Sequence, residues 1–463
     1  MERKIFHVKR TPQRSMMDSV WSDTVAMPHF PQLREDLKID VLIIGGGITG
    51  LLCAYQLMKA GISYTLVEAD TICSGVTKNT TAKITSQHGL IYRKLIREFG
   101  ADQALQYLRV NELAVREYEK MCQTINCDFE KKDSYVYSIR DRAKIEDEVK
   151  ALHSMGFDAE FVQEVDIPLD ILGAVKFKNQ AQFHPLKFLA EIAKDLHIYE
   201  HTKVVEMGEG FAKTNHGMIM ADRIVVATQF PINNKHGAYF LKMYQSRSYV
   251  LGLQLPSSRD CWDEDVSYQS MLNVHGMYVD EDDNGLSFRN YRNLLLLGGG
   301  GHRTGKYGGN WKVLSAFAKK YYPEAIERYA WATQDCMTLD SAPYVGMYGK
   351  YTEGFYVMTG FNKWGMTSAM ASSIIVRDML LNRENAFVKL YDPHRTMMRS
   401  QLIINAFEAV KSILTFSSKR CPHMGCTLKW NEVERSWDCP CHGSRFQENG
   451  ELIDNPATDD LKD

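Results

Sequence analysis

At 463 residues the chain is long enough for two or three domains and a large buried core. Its 44% hydrophobic and 24% charged residues are ordinary for a globular protein. A formal net charge of -2 gives no bulk electrostatic case for nucleic acid or an anionic membrane, and no stretch is long and apolar enough to span a bilayer.

Residues 1–39 read as a polar arm with an aromatic island, Ser19-Val20-Trp21-Ser22, laid over a folded body. The first ten residues are basic with no apolar run behind them, so no secretory signal is read and a cytoplasmic protein is expected. Next, Val41-Leu42-Ile43-Ile44 run straight into glycines that fit G-x-G-x-x-G at Gly45, Gly47 and Gly50. An apolar run of this kind predicts a central parallel strand, and the glycines predict a tight turn into a helix that begins near Leu51. The N–H groups and dipole at that helix start favour a pyrophosphate. A second strand, Tyr64-Thr65-Leu66-Val67, ends at Glu68, whose carboxylate can accept hydrogen bonds from a ribose diol.

Cys73 to Thr85 is rich in hydroxyls and short side chains, too polar for core and suited to wrapping a polar cofactor. Helical periodicity follows from about Ile91 to Ile125, broken near Gly100. Lys203 to Met207 and Asp222 to Thr228 read as strands, and residues 235–300 are strand-rich. Gly354 to Gly360 predicts the last strand of the body, followed by a second strand–glycine–helix junction from Phe361 to Thr367 and a helix from Ser368 to Leu381. Leu402 to Leu414 looks helical.

Of ten cysteines, Cys53, Cys73, Cys122, Cys127, Cys261 and Cys336 show no ligand spacing and read as reduced thiols. The other four crowd the tail as Cys421-Pro422-His423-Met424-Gly425-Cys426 and Cys439-Pro440-Cys441-His442. The pattern C-x-H-x15-C-x-x-H admits zinc. Each box, however, supplies one cysteine, one histidine and a spare cysteine, which resembles a Rieske [2Fe–2S] centre with Cys421 and Cys439 on one iron and His423 and His442 on the other. That resemblance implies a Cys426–Cys441 disulfide linking the two loops, worth on the order of 3 kcal/mol for a loop of about 15 residues. Ser444 stands where respiratory Rieske proteins aim a hydroxyl at a sulfide, and Phe446 where they carry a tyrosine. One hydrogen bond kept and one lost predicts a mid-range potential. The base of this module looks short: either the body shields the cluster from below, or the module has decayed and binds its cluster poorly, and the complete ligand set argues against decay.

The stretches GGGITG with Glu68, SGVTKNTTAKIT, RIVVAT, LDSAPYVG and TGFNKWGMT together resemble FAD-dependent oxidoreductases of the D-amino-acid-oxidase-like group, which includes glycine and sarcosine oxidases. The resemblance implies an α/β fold: a Rossmann-like, glutathione-reductase-type FAD-binding domain (about 40–110, 185–232 and 294–385). Interleaved with it would be an α+β substrate domain on a mostly antiparallel sheet (about 111–184 and 233–293). A linker helix (386–416) and a small, truncated all-β Rieske module (417–463) would complete the chain. It also implies that Gly45, Gly47, Ile48 and Gly50 meet the pyrophosphate and that Glu68 holds the ribose. Ser74, Thr81 and Lys83 would lie along the flavin, Val205 would meet the adenine side, and Gly360, Gly365, Met366 and Thr367 would face the isoalloxazine ring. Lys83 would stabilise anionic reduced flavin. Thr367 replaces a lysine of sarcosine-oxidase-like proteins, so Arg247 and His302 are the candidates to clamp a substrate carboxylate. Cys336, near where some relatives attach flavin covalently, is read as a packed thiol.

The expected function is oxidation of a small amine or amino-acid-like substrate by hydride transfer to FAD, with electrons exchanged with the cluster and an unidentified redox partner. The alternative is an electron-transfer or redox-sensing protein without small-molecule turnover. A Rieske-type oxygenase lacks support, because no 2-His-1-carboxylate iron site is evident.

Overall fold

The computed structural model describes residues 19–232, 236–256, 274–308, 310–415 and 419–461. The first 18 residues of the arm, and Cys261, lie outside them.

Three sheets organise the chain. The first is the Rossmann-like layer. Leu37–Ile44 lies between Met218–Val226 and Tyr64–Val67, parallel to both, and its last four residues are buried. Phe355–Thr359 joins parallel to Met218–Val226, and Tyr344–Met347 closes that edge antiparallel. The helices Ile48–Lys59 and Gly365–Leu380 pack on one another over this sheet, with long runs of buried small and aliphatic residues.

The second sheet has nine strands, mostly antiparallel; Met277–Asp280 runs parallel to Glu130–Ser138. Its long ribbon pairs Met243–Gln254 with both Leu294–Arg303 and Ile326–Thr338. This corrects the expected domain boundary: Leu294–Arg303 and Ile326–Thr338, assigned from sequence to the FAD-binding parts, belong to the second sheet. Their antiparallel registers with Met243–Gln254 hold them there over nearly their whole length. The helical region 91–125 forms Tyr92–Phe99 and Ala101–Cys122, separated at Gly100, whose φ of 86° stops the first helix.

The third sheet is a four-stranded antiparallel meander, Lys429–Asn431, Ser436–Asp438, Arg445–Gln447 and Leu452–Asp454. Its buried apolar core is Cys421, Cys426, Leu428, Cys439, Cys441, Phe446 and Ala457. Four of those seven are cysteines, so the module has little hydrophobic core beyond its cluster loops. The aromatic island of the arm is anchored: Trp21 is buried, donates from Nε1 to the Thr80 carbonyl at 2.7 Å and meets Tyr291 edge-on. It thereby fastens the 73–85 loop from outside.

Candidate FAD cavity and Rieske centre

A cavity of about 980 Å³ runs between the first two sheets, at the upper end of the usual size for a ligand site. At one end stands the glycine turn. Gly45 has φ 111°, and a Cβ there would lie 2.7 Å from the Ala227 carbonyl oxygen. A Cβ on Gly50 would lie 1.9 Å from the Gly45 oxygen. Steric necessity therefore fixes these two glycines, and the following helix starts on Gly47, which has no side chain to cap its N–H groups. Gly45, Gly47 and Ile48 line the cavity, whereas Gly50 sits behind the wall as the packing residue. Gly50→Ala is expected to yield folded but flavin-poor protein, read as the ratio of flavin to protein absorbance.

Glu68 is on the wall. One carboxylate oxygen accepts from the Gly46 N–H at 2.6 Å and the other from Asp70 at 3.0 Å, so backbone fixes its orientation toward a ribose. Ser74, Thr81 and Lys83 also line the cavity. Burial, reinforced by the Arg289 guanidinium, pulls the Lys83 ammonium down to about 7. Arg289 itself donates to the Thr81 and Ala82 carbonyls at 2.7 and 2.8 Å, holding the loop that carries Lys83.

The second junction forms the far wall with Gly360, Gly365 and Met366. Asn362 and Lys363 both adopt left-handed φ, 50° and 74°. The turn is pinned by the Asn362 side chain, which accepts from the Thr338 N–H at 2.8 Å and donates to the Gly360 carbonyl at 2.7 Å.

Five site expectations change, the first being Gly50, which was expected at the pyrophosphate and lies behind the wall. Val205 is 56% exposed and off the wall; its neighbour Val204 lines the cavity, because side chains alternate along a strand. Thr367 is also off the wall: it follows Met366 round the helix and bonds Thr85 and His88 instead. Arg247 and His302 do not line the cavity. Strand alternation leaves Ser248 on the cavity side and turns Arg247 into an ion pair with Glu434 of the third sheet. His302 bonds the Tyr249 hydroxyl at 2.9 Å, and that hydroxyl donates to Glu434 at 2.8 Å. Neither residue is a substrate clamp; both belong to the seam between body and tail.

Two wall residues, His88 and Asp335, escaped the sequence reading, while Cys336 was read there as a packed thiol. His88 stacks on Trp364 at 5.2 Å and accepts from Tyr107. Burial lowers it to about 3, so it is neutral. Asp335 also lines the cavity, and burial raises its carboxyl to about 6 against the pull of Lys363 and Arg247. Cys336 is buried, which pushes its thiol well up and keeps it protonated.

In the tail, two loops have the same design. The Gly425 N–H returns to the Cys421 carbonyl at 2.9 Å, and the Gly443 N–H to the Cys439 carbonyl at 3.0 Å. Both glycines have positive φ, 73° and 88°, as this turn requires. Hydrogen bonds from the Cys439 thiol and the Ser444 hydroxyl hold the Cys421 thiol below its ordinary value, against the effect of burial. On the other side the His423 and His442 rings meet at 4.9 Å, and the buried Nδ1 of His442 has no hydrogen-bond partner among the described residues. A pair of adjacent sulfurs and a pair of adjacent imidazoles, with a ring nitrogen left over, fit a cluster that would be ligated by cysteine on one iron and histidine on the other. Cys426 and Cys441 form a disulfide, with Cα atoms 6.7 Å apart, which removes both from ligation.

The body supplies the base that the module lacks. Arg303 donates to the Pro440 and Cys441 carbonyls at 3.1 and 3.0 Å, Gln245 to His442 at 3.1 Å, and Gln334 to Gly443 at 2.9 Å. Phe230 meets both histidine rings edge-on, at 6.4 and 6.5 Å.

Residues 40–379 match the family described as FAD dependent oxidoreductase, and residues 378–463 the Rieske [2Fe-2S] domain. The chain belongs to the FAD dependent oxidoreductase family. This oxidoreductase binds FAD in its body and a [2Fe–2S] cluster in its tail. It is 31% identical to YhfW of Bacillus subtilis (strain 168), a protein named for a Rieske 2Fe-2S centre, over 96% of this chain and 97% of that one. The tail alone is 48% identical to a cytochrome b6-f complex iron-sulfur subunit of Trichormus variabilis, over 9% of this chain and 24% of the subunit. In fold, the oxidoreductase is similar to glycine oxidase from Geobacillus kaustophilus, with a TM-score of 0.63 at 18% identity over 78% of this chain and all of that one. L-proline dehydrogenase from P. horikoshii gives 0.64 at 19%, covering 78% and 98%.

Proposed function

We propose that this oxidoreductase oxidises a small amine or amino-acid-like molecule at its flavin and hands the electrons to its own Rieske centre, from which a redox partner draws them. When bound, FAD supplies hydride acceptance with single-electron release, and the cluster supplies one-electron transfer. The observation that carries this reading is a shared wall: residues Glu451 to Asn455 and Ala457 to Asp460 of the Rieske module line the same cavity as Gly45, Gly47 and Gly360. Asn455 ties that wall down, donating to the Thr228 and Phe230 carbonyls at 2.6 and 3.2 Å.

Gly45, Gly47 and Ile48 would hold the diphosphate, Glu68 the ribose, and Lys83, Gly360, Gly365 and Met366 the ring. With Arg247 and His302 engaged elsewhere, no arginine lines the cavity among the described residues. The acid that the long ribbon of the second sheet puts on this wall is Asp335, which favours a cationic amine over a carboxylate-led substrate. Asp335 is ionised above its pKa of about 6 and neutral below it. The apparent KM for an amine is therefore expected to rise about tenfold per pH unit below that point, and Asp335→Asn to remove this dependence.

The test is anaerobic mixing with a panel of amines and amino acids. Flavin bleaching by amines supports the reading. Bleaching by carboxylates alone overturns the amine assignment, and reduction only by a protein donor supports an electron carrier without turnover.

A further inference from the structure

The helix Ser400–Leu414 is built inside out. Its inward side is polar or small. Asn405 accepts from Arg303 at 2.9 Å, Ser412 meets Thr427 of the first cluster loop region at 3.4 Å, and Ala409 packs on the Rieske core. Its outward side is apolar: Ile403 is 73% exposed, Phe407 65%, Val410 56% and Leu414 78%. That spacing of four, three and four residues keeps one continuous stripe on one face. Ile404 and Ile413 widen it. An aqueous surface does not select such a stripe, and exposed apolar patches of this kind mark a contact site.

Charge and area together choose the occupant. The helix carries one acid, Glu408, which is tied to Lys306. Lys411 and Arg420 are exposed along the stripe's rim. Arg420 bonds the Ile413 carbonyl at 3.2 Å and the Gly425 carbonyl at 2.8 Å, so the stripe ends beside the first cluster loop. A strip of about 15 residues is roughly 22 Å long and ~10 Å wide. It covers a few hundred Å², against the ~800 Å² per partner that a stable protein complex buries. An apolar stripe with a basic rim and too little area for a stable protein complex matches a helix lying in a lipid interface.

We propose that Ser400–Leu414 beds its Ile403/Phe407/Val410/Leu414 stripe in the surface of an anionic membrane, holding the Rieske loops next to the lipid. No helix among the described residues is long and apolar enough to cross a membrane, so the attachment is peripheral. The near-neutral net charge does not oppose this, because the relevant charge is local to the rim.

The test is flotation of the full-length holoprotein with phosphatidylcholine vesicles, with and without phosphatidylglycerol, and light scattering for oligomeric state. The expected result is co-flotation that strengthens with phosphatidylglycerol, falls at least tenfold in the Phe407→Asp/Val410→Asp double variant and about fivefold in Lys411→Gln. Unchanged flavin and cluster spectra in the variants show that the fold is intact. Equal behaviour of parent and double variant with vesicles overturns the proposal. So does a parent dimer that the double variant dissociates without any vesicle binding, which would make the stripe a self-association surface.

Discussion

Replacing Cys439 with serine is expected to empty the tail of iron while leaving FAD in the body. Cys439 is one of the two sulfur ligands proposed for the cluster, and it is buried beside Cys421. A serine hydroxyl there cannot supply a thiolate, so iron content should fall from a full cluster to near none, with loss of the EPR signature of a histidine-ligated centre. Because metal binding in small modules is coupled to their folding, and because four of the seven core residues here are cysteines, the third sheet should also become protease-sensitive. The flavin turn at Gly45 and Gly50 lies in a separate core and is untouched. A colourless parent protein that holds zinc instead of iron, or a Cys439→Ser variant that keeps its iron and its EPR signature, would contradict the ligand assignment.

The second large effect is expected at the seam. Glu434 is buried between two buried guanidiniums, Arg247 of the body and Arg445 of the module, and also accepts from Tyr249 at 2.8 Å. Arg445 continues to Asp438 at 3.0 Å and Asp454 at 3.1 Å. Burial alone would raise the Glu434 carboxyl; the two guanidiniums outweigh it and hold it at about 2. Glu434→Gln keeps the shape and removes the charge that the two guanidiniums share, leaving Arg445 on Asp438 and Asp454 but Arg247 with only Asp454 at 3.8 Å, at a cost of up to about 3–5 kcal/mol. The thermal midpoint for loss of the cluster's visible circular dichroism should drop well below that for flavin release. The sign of the pH effect follows from the depressed pKa. The stabilisation is complete above the ordinary glutamate value near 4.5, and it is lost as pH falls through about 2. A variant as stable as the parent would show that the network does not hold the module down.

What could be read from sequence and what could not divide along a physical line. Gly45 and Gly50 were legible because a Cβ is forbidden there by backbone a few residues or one strand away. The Rieske character of the tail was legible because the boxes around Cys421, His423, Cys439 and His442 carry their chemistry in short spacings, and a Rieske domain match covers them. Strand phase was not legible: Val204 rather than Val205 faces the cavity, since the strand 204–208 is short and both residues are valine. Nor was the destination of Arg247, whose partner Glu434 lies 187 residues away. Basic charge near a flavin fold suggested a clamp for substrate; only the three-dimensional seam shows that it clamps a domain. His88 and Asp335 gave no signal because neither stands in a motif. Each becomes visible only when the cavity wall is assembled from distant strands.

The account rests on electrons passing from the flavin cavity to the tail within one polypeptide. Rapid-freeze EPR of anaerobic holoprotein, mixed with an amine that bleaches the flavin, tests this directly. The account predicts that the signal of the reduced, histidine-ligated cluster grows as the bleached flavin gives up one of its two electrons and recovers part of its absorbance, and that Cys439→Ser shows bleaching with no such change. A parent flavin that stays bleached while its cluster remains oxidised and EPR-silent throughout turnover would contradict it.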